Sequence, residues 1–250
     1  MLIYNFFTIG IGKVAGLFNL THLLYVFISF ALIISMIVLT RKKSNEEIFK
    51  YIRIISIVVL VLEILKIIWN LTLRTDVTYE DYLPFYFCSF FIFTSLVFVF
   101  CKNKESLIYR FAKLFLFYGG VTGGLTFTVF PTTALMVFPF LHILSIHSLI
   151  YHSLMVVVSV WMLRFFKPSL KDIKIYGSIL LIIELIIIIF NFIFEANFMM
   201  LNVPFGLVIF ELLAKWLGFL YPFVLAIGQM LLTFYGGYLF YLMRKKFFCK

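Results

Sequence analysis

Charge is scarce in this chain. Only 13% of its 250 residues are Asp, Glu, Lys or Arg, while 64% are hydrophobic. A soluble domain of this length cannot cover its surface with so few charges, so a water-soluble fold is excluded. Acidic residues are the rarer sign, 11 against 21 Lys and Arg. Internal repeats, low-complexity linkers and room for a separate soluble domain are all lacking. Residues 1–19 also lack the basic start and small-residue cleavage site of a signal peptide.

What is present is a series of seven apolar runs, near residues 20–40, 52–71, 83–101, 111–129, 140–163, 173–194 and 220–242. Several exceed the length needed to cross a bilayer. Lipid offers no partner to backbone N–H and C=O groups, so such runs must be helices. The expected fold is therefore all-α, one polytopic domain over residues 1–250 with seven transmembrane helices.

The charges orient it. Arg41, Lys42, Lys43, Lys50 and Arg53 fall around the first connection, and Lys102, Lys104, Arg110 and Lys113 around the third. Arg164, Lys167, Lys171 and Lys174 fall around the fifth, and Arg244, Lys245, Lys246 and Lys250 in the tail. The other side holds only Lys13, Arg74 and Lys215, beside Asp76, Glu80, Asp81, Glu195 and Glu211. By the positive-inside rule the N-terminus is outside and the C-terminus inside a cell membrane. Basic inner loops facing anionic lipid account for the net charge of +10 without nucleic acid. Two outer connections stand out. Residues 130–139 carry no charge and read as an interfacial lid, and 196–219 read as a re-entrant or interfacial segment.

Polar groups within the spans are costly, and most fall in the outer half. Counted at about 1.5 Å per residue from the outer ends, Cys88, Lys66, Asn191, His147 and Gln229 lie roughly 6–13 Å deep. His22 and Asn70 map to the same side. Glu63, His152 and Glu184 lie nearer the midplane. Gly119-Gly120-Val121-Thr122-Gly123-Gly124 in the fourth run lets a helix or a ligand come close, with Thr122 adding a hydroxyl. The set points to one polar cavity open to the outer half. Taken singly, each group reads more readily as helix–helix glue, satisfied by a neighbour.

Glu63, Lys66 and Asn70 share one helical face, as a structural ion pair or as a means of orienting a headgroup or an imidazole. His142, His147 and His152 are five apart, which scatters them around the helix and argues against a metal site. No cofactor is expected. His147 best matches the depth of Cys88. Cys101 and Cys249 map to the opposite face, so a disulfide to Cys88 is geometrically excluded. A lone Cys is usually a small apolar residue, but a nearby base or cation can make it a nucleophile.

The order of several blocks resembles the YwaF-like family of integral membrane proteins. They are Thr21-His22-Leu23, Glu63-Ile64-Leu65-Lys66-Ile67-Ile68-Trp69, Leu83-Pro84-Phe85-Tyr86-Phe87-Cys88, His147, Asn191, Asn197 through Pro204, and Tyr221-Pro222. Animal relatives of that family include a transmembrane acyltransferase that remodels ether phospholipids. The resemblance implies seven helices and a Cys nucleophile carrying an acyl group, a role that falls on Cys88. The basic His falls on His147, with His22 or Lys66 near it. Phe85 and Tyr86 stand where the family usually has His, and Ser89 where an acidic residue is common.

Three functions follow as expectations. One is a lipid acyltransferase or acyl hydrolase working through a Cys88 thioester with His147 as base, and His22, Glu63, Lys66, Asn70, Thr122, Asn191 and Gln229 around a phospholipid. A second is a small-solute or lipid transporter with a path through Glu63, Lys66, His152 and Glu184. A third is a non-catalytic lipid-binding or assembly scaffold.

Overall fold

The computed structural model describes residues 14–73, 77–204 and 208–248, with side chains as far as Arg244. Lys13, Arg74, Asp76, Phe205, Cys249 and Lys250 lie outside those residues, as do the side chains of Lys245 and Lys246. Among the described residues there is no strand, and eight helices reach ten residues. They are α1 (Leu20–Thr40), α2 (Asn45–Leu73), α3 (Phe90–Phe100), α4 (Leu107–Val129), α5 (Ile143–Met162), α6 (Ile173–Phe194), α7 (Val208–Leu217) and α8 (Tyr221–Phe248).

Local chemistry sets the helix starts. The Asn19 side chain accepts from the His22 N–H to open α1, and Ser106 accepts from the Tyr109 N–H to open α4. His142 caps α5 through its ring, accepting from the Leu144 N–H at 3.2 Å. Glu195 ends α6 in the left-handed region at φ +51°.

Six segments among the described residues are long and apolar enough to cross a membrane. Five of them contain α1, α2, α3, α5 and α6, and the sixth, Val208–Arg244, runs through α7 and most of α8. The expected seventh, α4, is not among them although it has 23 residues. Its glycines and threonines dilute its apolar character, and its position explains why that is tolerated. Phe115, Leu116, Phe117 and Tyr118 are all 0% exposed. Four successive residues point in four directions around a helix, so α4 is covered on every side here. It packs on α5, α3, α8 and α6. A helix wrapped by protein needs no lipid-compatible face.

The glycines of α4 permit this closeness. A Cβ on Gly120 would collide with the Ser159 hydroxyl, and one on Gly124 would lie 2.7 Å from Val156. A Cβ on Gly123 would lie 3.0 Å from the Phe87 ring. The peripheral helices are the reverse, with large apolar side chains facing outward; Phe192 on α6 is 86% exposed.

The helix ends are tied in two layers. At one end, here the basic end, the Arg164 guanidinium donates to the carbonyls of Thr40, Arg41 and Lys43, and Trp161 donates to Thr40 Oγ1. The Tyr118 hydroxyl donates to Asp172 at 2.8 Å. At the other end, here the His22 end, ties run from side chains to loop backbone.

One expected span starts later than the sequence reading has it, and two connections take a definite form. Residues 83–86 are not helix: Leu83 and Tyr86 are extended, and a 3-10 turn over Phe87–Ser89 precedes α3. Pro84 cannot donate a hydrogen bond and biases its predecessor away from the helical region. Residues 130–139 hold a short helix, Thr132–Leu135, with Ala134 and Leu135 buried, so the uncharged connection packs down onto the bundle. Residues 196–219 split in two. Ala196, Phe198, Met199 and Leu201 fold inward and are buried, whereas no residue of α7 is.

Candidate functional site

Cys88 lies in the 3-10 turn that opens α3, packed beside the main apolar core. The Tyr151 hydroxyl, from α5, donates to the Cys88 carbonyl oxygen at 2.8 Å. The Tyr151 ring stacks on the His147 ring one turn away, with centroids 5.8 Å apart at 19°. One buried tyrosine thus touches both the Cys88 turn and the His147 ring. Among the described residues no hydrogen bond reaches the Cys88 sulfur.

On α2, Lys66 Nζ donates to Glu63 Oε1 at 2.7 Å, a pair in which the Glu63 side chain is 7% exposed. Tyr151 also meets the His152 ring edge-on at 5.2 Å, so printed contacts join the Cys88 turn, His147, Tyr151 and His152, while Glu63 and Lys66 pair with each other on α2.

The four histidines differ in which ring nitrogens are committed. His22 uses both: Nδ1 accepts from the Phe18 N–H at 3.2 Å and Nε2 donates to the Val129 carbonyl at 2.9 Å. That fixes its tautomer and caps α4. His142 uses Nδ1 as a helix cap. His152 uses Nδ1, which donates to the Ser148 carbonyl at 2.8 Å, while its ring stacks on Phe127 at 3.8 Å. His147 makes no hydrogen bond among the described residues, and its Nε2 is buried without a partner.

Four of the other expected cavity residues are bound to backbone. Asn70 donates to the Asp81 carbonyl at 2.6 Å. Thr122 donates to the Thr233 carbonyl at 3.1 Å, tying α4 to α8. Asn191 holds Phe198 in two places, accepting from its N–H and donating to its C=O, both at 3.0 Å. Gln229 donates to the Met199 carbonyl at 2.9 Å. His22 behaves the same way. The fully buried Glu184 of α6 has no partner on either oxygen, so no hydrogen bond or ion pair joins it to Glu63, Lys66 or His152.

Tyr151 escaped the sequence reading. A tyrosine one turn after a histidine in an apolar run is a usable signal, but only the fold brings its hydroxyl to the Cys88 turn. No cluster of three or more His, Cys, Asp or Glu able to hold a metal occurs among the described residues.

A family model described as the TMEM164 family matches residues 17–238, most of the chain. The chain belongs to the TMEM164 family. No curated protein and no solved structure matches it. Membership in this transmembrane family and the six apolar helical segments agree: this TMEM164-family chain is a multi-pass membrane protein.

Proposed function

We propose that this protein transfers acyl groups between membrane lipids through a thioester on Cys88. The observation that carries the reading is the position of Tyr151, hydrogen-bonded to the Cys88 carbonyl and stacked on His147. Support for His147 as the base comes from its ring, the one of the four histidines with no hydrogen bond among the described residues.

In the forward step His147 takes the proton from the Cys88 thiol, and the sulfur attacks an ester carbonyl of a phospholipid. The ester C–O bond breaks, and the leaving lysolipid oxygen takes the proton back from His147. The acyl group then sits on Cys88 as a thioester. A lipid hydroxyl, or water, attacks that thioester while His147 takes its proton, and the sulfur leaves as thiolate to be reprotonated. The Glu63–Lys66 pair supplies fixed charges near the imidazoles and a polar contact for the lipid headgroup region. Thr122, Asn70, Asn191, Gln229 and His22 hold the frame around the site.

In this reading α4 crosses the bilayer as a seventh span, shielded by its neighbours. The N-terminus is outside a cell membrane and the His22 end faces outward, placing Cys88 in the outer half. The resemblance of its sequence blocks to the YwaF-like family, whose animal relatives include an ether-phospholipid acyltransferase, is in keeping with this chemistry.

Purified protein in phospholipid vesicles tests it. Incubation should leave a hydroxylamine-sensitive acyl adduct on Cys88, absent in Cys88→Ala and slowed about 10²–10⁴-fold in His147→Ala. Absence of any adduct in the unmodified protein would leave the scaffold reading. That reading gains weight from the number of polar side chains bound to backbone.

A further inference from the structure

Helix α7 presents three faces. Phe210, Ala214 and Leu217, spaced i, i+4 and i+7, are half-buried against the protein. Val208, Ile209, Leu212, Leu213 and Trp216 occupy the next arc and are all exposed, Trp216 by 83%. Glu211 and Lys215 occupy the third, one turn apart and exposed.

Each face excludes an environment. In water, five large apolar side chains on one arc would form an exposed patch with nothing to cover it. In the hydrocarbon interior, Glu211 and Lys215 would be stripped of water. At about 15 Å the helix is also too short to cross a bilayer. The border between headgroups and acyl chains accommodates all three faces at once. The apolar arc is also continuous with surface that lipid must cover. Phe219 and Leu220 extend it beyond the turn at Gly218, and the exposed Phe223, Val224 and Ile227 carry it down α8. Gly218 has φ +53° with open space around its Cβ position, so the glycine serves the turn itself.

We propose that α7 lies in the polar–apolar border of the bilayer at the His22 end and binds phospholipid there. Its Val208–Trp216 arc enters the acyl region, and Glu211 and Lys215 meet the headgroups. The preceding segment is pinned to the bundle: the Asn197 N–H donates to Glu80, and the Tyr221 hydroxyl donates to the Met200 carbonyl. That segment also carries Phe198, which packs on Phe85 and Tyr86 just before Cys88. The proposal stands whether or not Cys88 carries an acyl group.

Tryptophan fluorescence tests it on the full chain in phosphatidylcholine–phosphatidylglycerol vesicles. The chain has three Trp; Trp69 and Trp161 are buried and Trp216 is not. Phosphatidylcholine brominated near its glycerol end should quench the emission, and W216F, a surface change, should remove the larger share of that quenching. Ile209→Asp with Leu212→Asp should shift the Trp216 emission to the red and reduce the same quenching. The proposal is overturned if W216F leaves the quenching unchanged, or if bromine near the chain terminus quenches Trp216 more strongly. Quenching of Trp216 by aqueous iodide but not by brominated lipid also overturns it. So does shielding from both that grows with protein density, which would mean that a second copy covers the arc.

Discussion

The Tyr151 hydroxyl donates to the carbonyl oxygen of Cys88 at 2.8 Å, joining α5 to the turn that opens α3. The bond is made to backbone, so it fixes where Cys88 stands without consuming its sulfur. The same ring lies against His147, so the two residues proposed to react are referenced to one rigid side chain.

Tyr151→Phe keeps the ring and deletes that donor. Leaving a buried carbonyl bare should cost about 1–3 kcal/mol, read as a lower unfolding midpoint in detergent. The acyl adduct on Cys88 should also form more slowly. A loss of stability with an unchanged rate of adduct formation would make Tyr151 a core residue and remove it from the site.

Asn191→Ala strips both the N–H and the C=O of Phe198 of their partner. At about 1–3 kcal/mol for each bare buried group, residues 195–204 should open locally, and limited proteolysis should cut there first. Asn191→Asp keeps the acceptor, loses the donor and should fall between the two. Unchanged cleavage in Asn191→Ala would mean that Gln229, Tyr221 and Glu80 hold the segment without it.

Gly120→Ala sets a methyl against the Ser159 hydroxyl. Overpacking of this kind costs about 1–3 kcal/mol. Ser159→Ala removes the clashing oxygen, together with a hydrogen bond to the Leu116 carbonyl. The double variant should be less destabilised than the sum of the singles, because the clash exists only when both groups are present. Additive effects in detergent unfolding would show that α4 and α5 do not meet there.

Reporter fusions at Lys43, Lys104 and Lys171 should all read cytoplasmic if the basic end faces inward. Lys43 follows α1, Lys104 follows α3 and Lys171 precedes α6, so the three sample alternate connections. One external signal among them would require a span to be redrawn. The proposed crossing of α4 would be the first to go.

Apolar runs determined that this is a helical membrane protein, because lipid permits no unpaired backbone and the remedy is local to each run. Helix starts were legible only in part: the run expected from residue 20 matches α1, whereas α4 begins at Leu107, capped by Ser106, four residues before the run expected from 111. The roles of the polar residues were not legible. His22, Asn70, Asn191 and Gln229 were expected to share a depth with Cys88, yet each reaches a backbone carbonyl outside its own helix, and depth says nothing about direction around a helix. The count of spans was blurred for a related reason: α4 is polar enough to fail as a lone span because neighbours shield it, and shielding is not a property of its own sequence. The splitting of 196–219 likewise depended on packing, since Phe198 turns inward onto Asn191 and Met199 onto Gln229. Sequence by itself settled which segments must be helices, through interactions within each segment. Tertiary structure alone decided which polar groups are bound to backbone and which, like His147, make no hydrogen bond among the described residues, because those bonds reach from a helix to the loop or helix that the fold sets beside it.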